Sequence, residues 1–146
     1  MYSILDVFFK LIRFGLVTEE CVDFPELSDS EWNQVFDLAE RHVLEGVLLD
    51  GISKLPTEKR PKGERLKKLV VRCLVAEKIN TKLNEKVIKV ANFFKRHGFH
   101  PILLKGQGVA TWYPNPMRRM PGDIDMWLAD DKKQIIKFVR GLRPEA

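Results

Sequence analysis

From Gly63 to Gly98 the chain has no proline and no internal glycine, and its apolar positions recur without a break. Leu66, Leu69, Cys73, Ala76, Asn80, Leu83, Val87, Val90 and Phe94 follow one another at steps of three and four. That spacing lays all nine on one stripe of a single long helix. Such a helix limits the architectures open to the chain. It is either a coiled-coil seam, with Asn80 as the polar register residue, or a spine on which the other elements pack. The repeat lasts only about four heptads and the sequence then changes character, which favours the spine. Gly98 stands where a helix C-terminus needs it.

The segments before the spine also read as helix. Leu5, Phe8, Phe9 and Ile12 are helically spaced between Tyr2 and about Leu16. Asp6 and Lys10 interrupt them, so the segment is neither a signal peptide nor a membrane span, and packing onto the rest of the chain is its expected use. Ser28 to Ser30 offer N-caps for a second helix, in which Trp32, Val35, Phe36, Ala39, Val43 and Val47 form one stripe. Pro56 and Pro61, among Lys54, Lys59, Arg60 and Lys62, mark the next loop.

Beyond Gly98 the pattern is mixed. His100 to Leu104 reads as a buried strand and Gln107 to Trp112 as a short helix, stopped by Tyr113-Pro114-Asn115-Pro116. Met117 to Pro121 is loop and Asp123 to Leu128 a second strand. Lys132 to Gly141 is a final helix capped by Asp130 or Asp131, with Ile135, Ile136, Val139 and Leu142 buried. The expected fold is α+β: a helical region over 1–98 with its spine helix, then a partial sheet of two strands with flanking helices over 99–146. Two strands make a marginal sheet. The chain is therefore expected to be the front of a longer protein with a third strand; the alternative is a two-stranded sheet completed by the long helix.

Composition excludes little. The 45% apolar and 31% charged content is that of a soluble globular protein, and the net charge of +5 permits a polyanionic partner without requiring one. Cys21 and Cys73 have neither metal-ligand nor disulfide-framework spacing and read as reduced thiols of a cytoplasmic protein. His42, His97 and His100 read as structural. Trp112 and Tyr113 read as core or cleft lining, with stacking on a nucleobase as the sharper alternative.

The chemistry gathers around Gly122-Asp123-Ile124-Asp125. Two carboxylates one residue apart at the head of a strand share a face, and oxygen-only ligands suit Mg²⁺ or Mn²⁺. The same residues would also make an ordinary strand-start turn, with Asp123 bonded to nearby backbone. What adds weight is the strand that breaks into Lys105-Gly106-Gln107-Gly108. A helix starting at Gln107 offers free N–H groups to an anion, glycines allow close approach, and Lys105, Arg118 and Arg119 could neutralise a triphosphate.

Leu103-Leu104-Lys105-Gly106, Tyr113-Pro114, Arg118 and Gly122-Asp123-Ile124-Asp125 together resemble the signature of the bacterial uncharacterised nucleotidyltransferase family, a branch of the DNA polymerase beta-like superfamily. Leu38-Ala39-Glu40-Arg41-His42 and the long helix are similar to that family's N-terminal region. The resemblance implies transfer of a nucleoside monophosphate from an NTP to an acceptor hydroxyl, with Mg²⁺ or Mn²⁺ as cofactor. Asp123 and Asp125 would be the metal-binding catalytic carboxylates. Gly106 and Gln107 would match the glycine and small polar residue that hold the terminal phosphates. Two departures stand out: Gln107 replaces the usual serine, and the third carboxylate, carried on a later strand, has no counterpart. As given, the chain is expected to transfer nothing unaided.

Two other functions stay open at this point. One is a non-catalytic nucleotide-binding or protein-interaction module that keeps the fold. The other is an RNA-binding helical protein using Lys54, Lys59, Arg60, Lys62, Arg65, Lys67 and Lys68 as an electrostatic patch. The acceptor is unspecified, no membrane partner is expected, and exposed sheet edges would allow a homo-oligomer.

Overall fold

The computed structural model describes residues 2–17 and 23–142. Among them are six helices: α1 (Ile4–Leu16), α2 (Asp29–His42), α3 (Glu45–Ser53), α4 (Glu64–Arg96), α5 (Gln107–Ala110) and α6 (Lys132–Gly141). Two strands, β1 (Pro101–Leu103) and β2 (Met126–Leu128), complete the set, with 3₁₀ turns at Thr57–Lys59 and Pro116–Arg118.

Local chemistry explains how the first helices start. Both α1 and α2 open on capping boxes, Ser3 with Asp6 and Ser28 with Glu31, which satisfy N–H groups that a helix start leaves without partners. These bonds hold both carboxyls below their usual range, Asp6 chiefly through the Ser3 hydroxyl and Glu31 chiefly through the Ser28 N–H.

The second helix does not run through to Val47. It stops at His42, and Val43 takes a left-handed conformation (φ 58°) that a β-branched residue rarely adopts. The Val43 N–H reaches the Ala39 and Glu40 carbonyls, and the Leu44 N–H folds back onto Ala39 at 2.9 Å, closing the helix end. The chain then turns into α3, whose Val47, Leu48 and Ile52 join Leu11 and Ile12 of α1 in the core. At this crossing the backbones almost touch: a Cβ on Gly51 would lie 2.2 Å from the Leu11 carbonyl oxygen. Glu45, at the start of α3, is buried, and Arg72 of α4 meets its charge.

The main core joins α1, α2, α3 and the first half of α4, with Phe24, Trp32, Val35, Phe36, Leu55, Leu69 and Cys73 inside it. Burial pushes the Cys73 thiol up to about 11, which makes it an inert packing group. Cys21 lies outside the described residues.

The long helix is a spine. Its buried stripe, Leu69, Cys73, Ala76 and Asn80, faces the rest of its own chain, first α3 and then the 3₁₀ turn, α5 and β1. Gly98, at φ +82°, lets the chain leave the helix.

β1 and β2 pair antiparallel, with Ile102 opposite Trp127 and Leu103 opposite Met126. The pairing extends one step each way: Leu104 N–H donates to the Asp125 carbonyl at 2.9 Å and Ala129 N–H to His100 at 3.0 Å. The regular strand thus starts at Met126, later than Asp123, because at Asp123 the backbone lies against Gly106 instead of a strand partner.

Three expectations about burial need correction, the first being that β1 is not a buried strand, since Ile102 and Leu104 are exposed and Pro101 and Leu103 only partly covered. Trp112 falls in a turn just beyond α5 and is 88% exposed, so it is not core. Ile136, Val139 and Leu142 of α6 are exposed as well. The packing residue of α6 is Phe138, whose ring centroid lies 4.8 Å from that of Phe99 and 4.9 Å from that of His97. Asp131 caps α6 through the N–H groups of Lys133 and Gln134, while Asp130 accepts from the His100 N–H at 2.7 Å and pairs with its ring at 2.8 Å. No described helix is long and apolar enough to cross a membrane.

Candidate active site

β1 ends where Lys105 and Gly106 turn the chain into α5. Gly106 has φ 71° and ψ −116°, a conformation that other residues avoid. A Cβ there would also meet the Asp123 carbonyl oxygen at 2.9 Å. Glycine is therefore what lets the turn and the Gly122-Asp123-Ile124-Asp125 segment lie side by side. The Lys105 ammonium is 3.7 Å from an Asp125 carboxylate oxygen, both groups facing solvent. Asp123 is exposed and Asp125 half-buried. Four of the sequence-selected residues, Lys105, Gly106, Asp123 and Asp125, are thereby brought together at one edge of the sheet.

The other three sit differently. Gln107 is buried at the start of α5 and its amide donates to Asn84 Oδ1 of α4 at 2.7 Å. Its side chain ties α5 to the spine, and what α5 can turn toward an anion is backbone N–H. Arg118 is held between two carboxylates: Nη1 lies 2.5 Å from Asp50 of α3, and Nε lies 2.9 Å from Glu77 of α4. The bonds to Glu77 and Asp50 raise the guanidinium's pKa, whereas burial raises that of Asp50 despite the arginine beside it. Arg119 donates to the Met120 carbonyl at 3.1 Å.

Sequence reasoning missed Asn80. Only in a coiled coil would it be a polar register residue; here it is 1% exposed and its amide donates to the Met117 and Arg119 carbonyls, both at 2.7 Å. Two carbonyl acceptors fix which end of the amide is nitrogen. Asn80 and Arg118 therefore clamp one short loop from both sides, and Gly46 of α3 leaves room for it, since a Cβ there would overlap the Arg118 carbonyl at 1.7 Å. That loop feeds directly into Gly122-Asp123-Ile124-Asp125. A polar residue on an otherwise apolar stripe was the available signal. A cavity of about 230 Å³, lined by His42, Leu44, Tyr113, Arg119 and Met120 among others, lies behind this loop and includes neither Asp123 nor Asp125.

The basic run after Lys54 is largely engaged in structure. Lys54 donates to the Phe14 and Val17 carbonyls, Lys59 to Phe24, and Arg60 to Ser53 and Leu55. Arg65 pairs with Asp37 and lies over the Phe36 ring, and Lys67 pairs with Glu64. These cations bind the chain's own carbonyls and carboxylates, which weakens the case for a polyanion patch.

A strand, a glycine turn and a short helix thus lie beside the Asp123-Ile124-Asp125 segment. The chain belongs to the uncharacterised nucleotidyltransferase family, whose model matches residues 28–139. No curated protein and no solved structure matches it. Membership gives the coarse activity, nucleotidyl transfer, and with it a nucleotide as partner.

Proposed function

We propose that Asp123 and Asp125 hold a divalent cation that carries an NTP, and that the family's reaction moves a nucleoside monophosphate from that NTP to an acceptor hydroxyl. The observations that support this are the close approach of Gly106 to the Asp123 backbone and of Lys105 to the Asp125 carboxylate, which set the glycine turn beside both acidic residues. Among the described residues no group of three or more His, Cys, Asp or Glu is placed to hold a metal. Two carboxylates completed by substrate phosphate oxygens nevertheless suit Mg²⁺ or Mn²⁺, which favour oxygen donors and readily share them with a nucleotide. The donor set fits.

On this reading Asp123 and Asp125 position the α-phosphate, and Gly106 with the backbone N–H groups at the head of α5 receives the terminal phosphates. When bound, the cation supplies charge neutralisation for the in-line displacement. Lys105 steadies Asp125 and faces the incoming charge. Arg118 and Asn80 act as positioning residues, since their partners are protein groups on the loop and on α3 and α4. The reading extends membership to the DNA polymerase beta-like superfamily and to a cytoplasmic setting.

The test is thermal melting with Mn²⁺ and each NTP, beside an Asp123→Asn/Asp125→Asn double variant. Stabilisation that requires both metal and NTP and disappears in the variant supports the site. An unchanged shift in the variant rules it out.

A second reading, a non-catalytic nucleotide-binding module, is favoured by one observation: the Gln107 side chain is committed to Asn84 and not to a phosphate. Release of pyrophosphate from labelled NTP with Mn²⁺ separates the two. Turnover would remove the module reading, and its absence from a chain that binds Mn²⁺ and NTP would favour it.

A further inference from the structure

The two faces of the small sheet differ. Leu103, Met126 and Leu128 are wholly or partly buried, whereas Ile102 is 43% and Trp127 57% exposed. Side chains alternate along a strand, and Leu104 pairs with Asp125 one step beyond the regular ladder. Ile102, Leu104, Trp127 and Asp125 therefore share the open face. The Asp125 carboxylate and the Trp127 indole are two residues apart, about 7 Å along an extended chain. An apolar, aromatic surface is thus continuous with the candidate metal carboxylates.

We propose that Trp127, flanked by Ile102, is the platform on which the nucleobase of the bound NTP stacks; the inference rests on the metal–NTP reading of Asp123 and Asp125. Three arguments select this occupant. A polypeptide segment laid over Trp127 and Ile102 would also crowd the approach to Asp125. The platform lies along β2 on the side of Asp125 away from the Gly106 turn, so a nucleotide with its terminal phosphates at the turn extends its nucleoside toward Trp127. An exposed indole flanked by aliphatic side chains suits any base, because every base offers a π-face. The class of ligand is a nucleoside triphosphate held by its ring, with weak discrimination among bases.

Titration calorimetry with Mn²⁺ and either ATP or inorganic tripolyphosphate tests this on the wild type, Trp127→Ala and Trp127→Tyr. Tripolyphosphate reports the metal–phosphate site alone, and ATP adds the base. Trp127→Ala is expected to weaken ATP roughly tenfold or more while leaving tripolyphosphate unchanged, and Trp127→Tyr to restore most of the loss. Equal ATP affinity in the wild type and Trp127→Ala overturns the proposal and leaves the metal site standing; the face then serves an acceptor or a covering segment. Equal loss of both ligands in Trp127→Ala also overturns it, by making Trp127 structural. Failure of the wild type to bind tripolyphosphate with Mn²⁺ removes the underlying metal–NTP reading and the platform with it.

Discussion

The helical body and the sheet region are built on opposite principles. In the body Leu11, Val35, Ala39 and Leu48 are fully buried, and α1, α2 and α3 close on one another and on the first half of α4. Among the described residues of the sheet region only Phe99, Gly106, Gln107, Ala110 and Leu128 are buried, and α6 buries none of its residues. The body supplies stability, and the sheet region supplies an open edge where carboxylates and an aromatic ring remain accessible. The proposed site sits on the part of the molecule that buries the fewest residues.

That contrast can be broken by mutation. Leu48→Ala should cost about 2–5 kcal/mol, as fully buried leucines do, and lower the melting temperature by several degrees or more. Arg118→Met comes next, because it leaves Asp50 and Glu77 without their shared cation. Each of the three is partly exposed, so a loss of about 2–3 kcal/mol is expected, below the ~3–5 kcal/mol of a fully buried pair. Asn80→Leu removes both donors to the loop carbonyls and should cost about 1–3 kcal/mol. It should also weaken Mn²⁺–NTP binding more than Leu48→Ala does at matched residual stability, which titration of both variants would show. Ile102→Ala, on the open face, should change the melting temperature by a degree or two at most. If it destabilises as much as Leu48→Ala, the sheet region is not the lightly held half.

Acid should reveal the hydrogen-bonded carboxylates. Asp6, Glu31 and Asp130 all have folded-state pKa values below their ordinary ones. Their stabilising effect is therefore complete above the ordinary carboxylate range and is lost as pH falls through the lower folded values. A melting series from pH 6 downward should decline with acid. In Asp130→Asn the decline should be shallower, since one of these groups no longer titrates.

The parts of the fold legible in the sequence were those set by nearest neighbours. The 3–4 spacing pointed to the spine, Ser28 to Ser30 marked the start of α2, and Asp130 or Asp131 that of α6. The break at Val43 was illegible because a valine, not a glycine, takes the left-handed conformation, and tertiary packing of α3 on α1 decides it. Arg118 looked like an anion ligand because its partners stand far away in sequence, Glu77 by 41 positions and Asp50 by 68. The meeting of Lys105 and Gly106 with Asp123 and Asp125 was legible from motif order. The exposure of Trp127 was not, since an apolar strand residue reads the same whether its face is covered or open.

The loop clamp also bears on the order of assembly. Contacts among α1, α2 and α3 all close within the first 54 residues, α1 meeting α3 across 40 positions, whereas Arg118 must find Asp50 across 68. Closing the longer loop carries the larger entropic penalty, and it brings the later part of the chain onto surfaces the helical body must first provide. The segment carrying Asp123 and Asp125 is therefore expected to dock last, onto a helical body already formed. In stopped-flow refolding, helical circular dichroism should return before the capacity to bind Mn²⁺ and nucleotide. A destabilised chain would lose its ligand before its helices, so circular dichroism alone would report as folded a protein that can no longer bind.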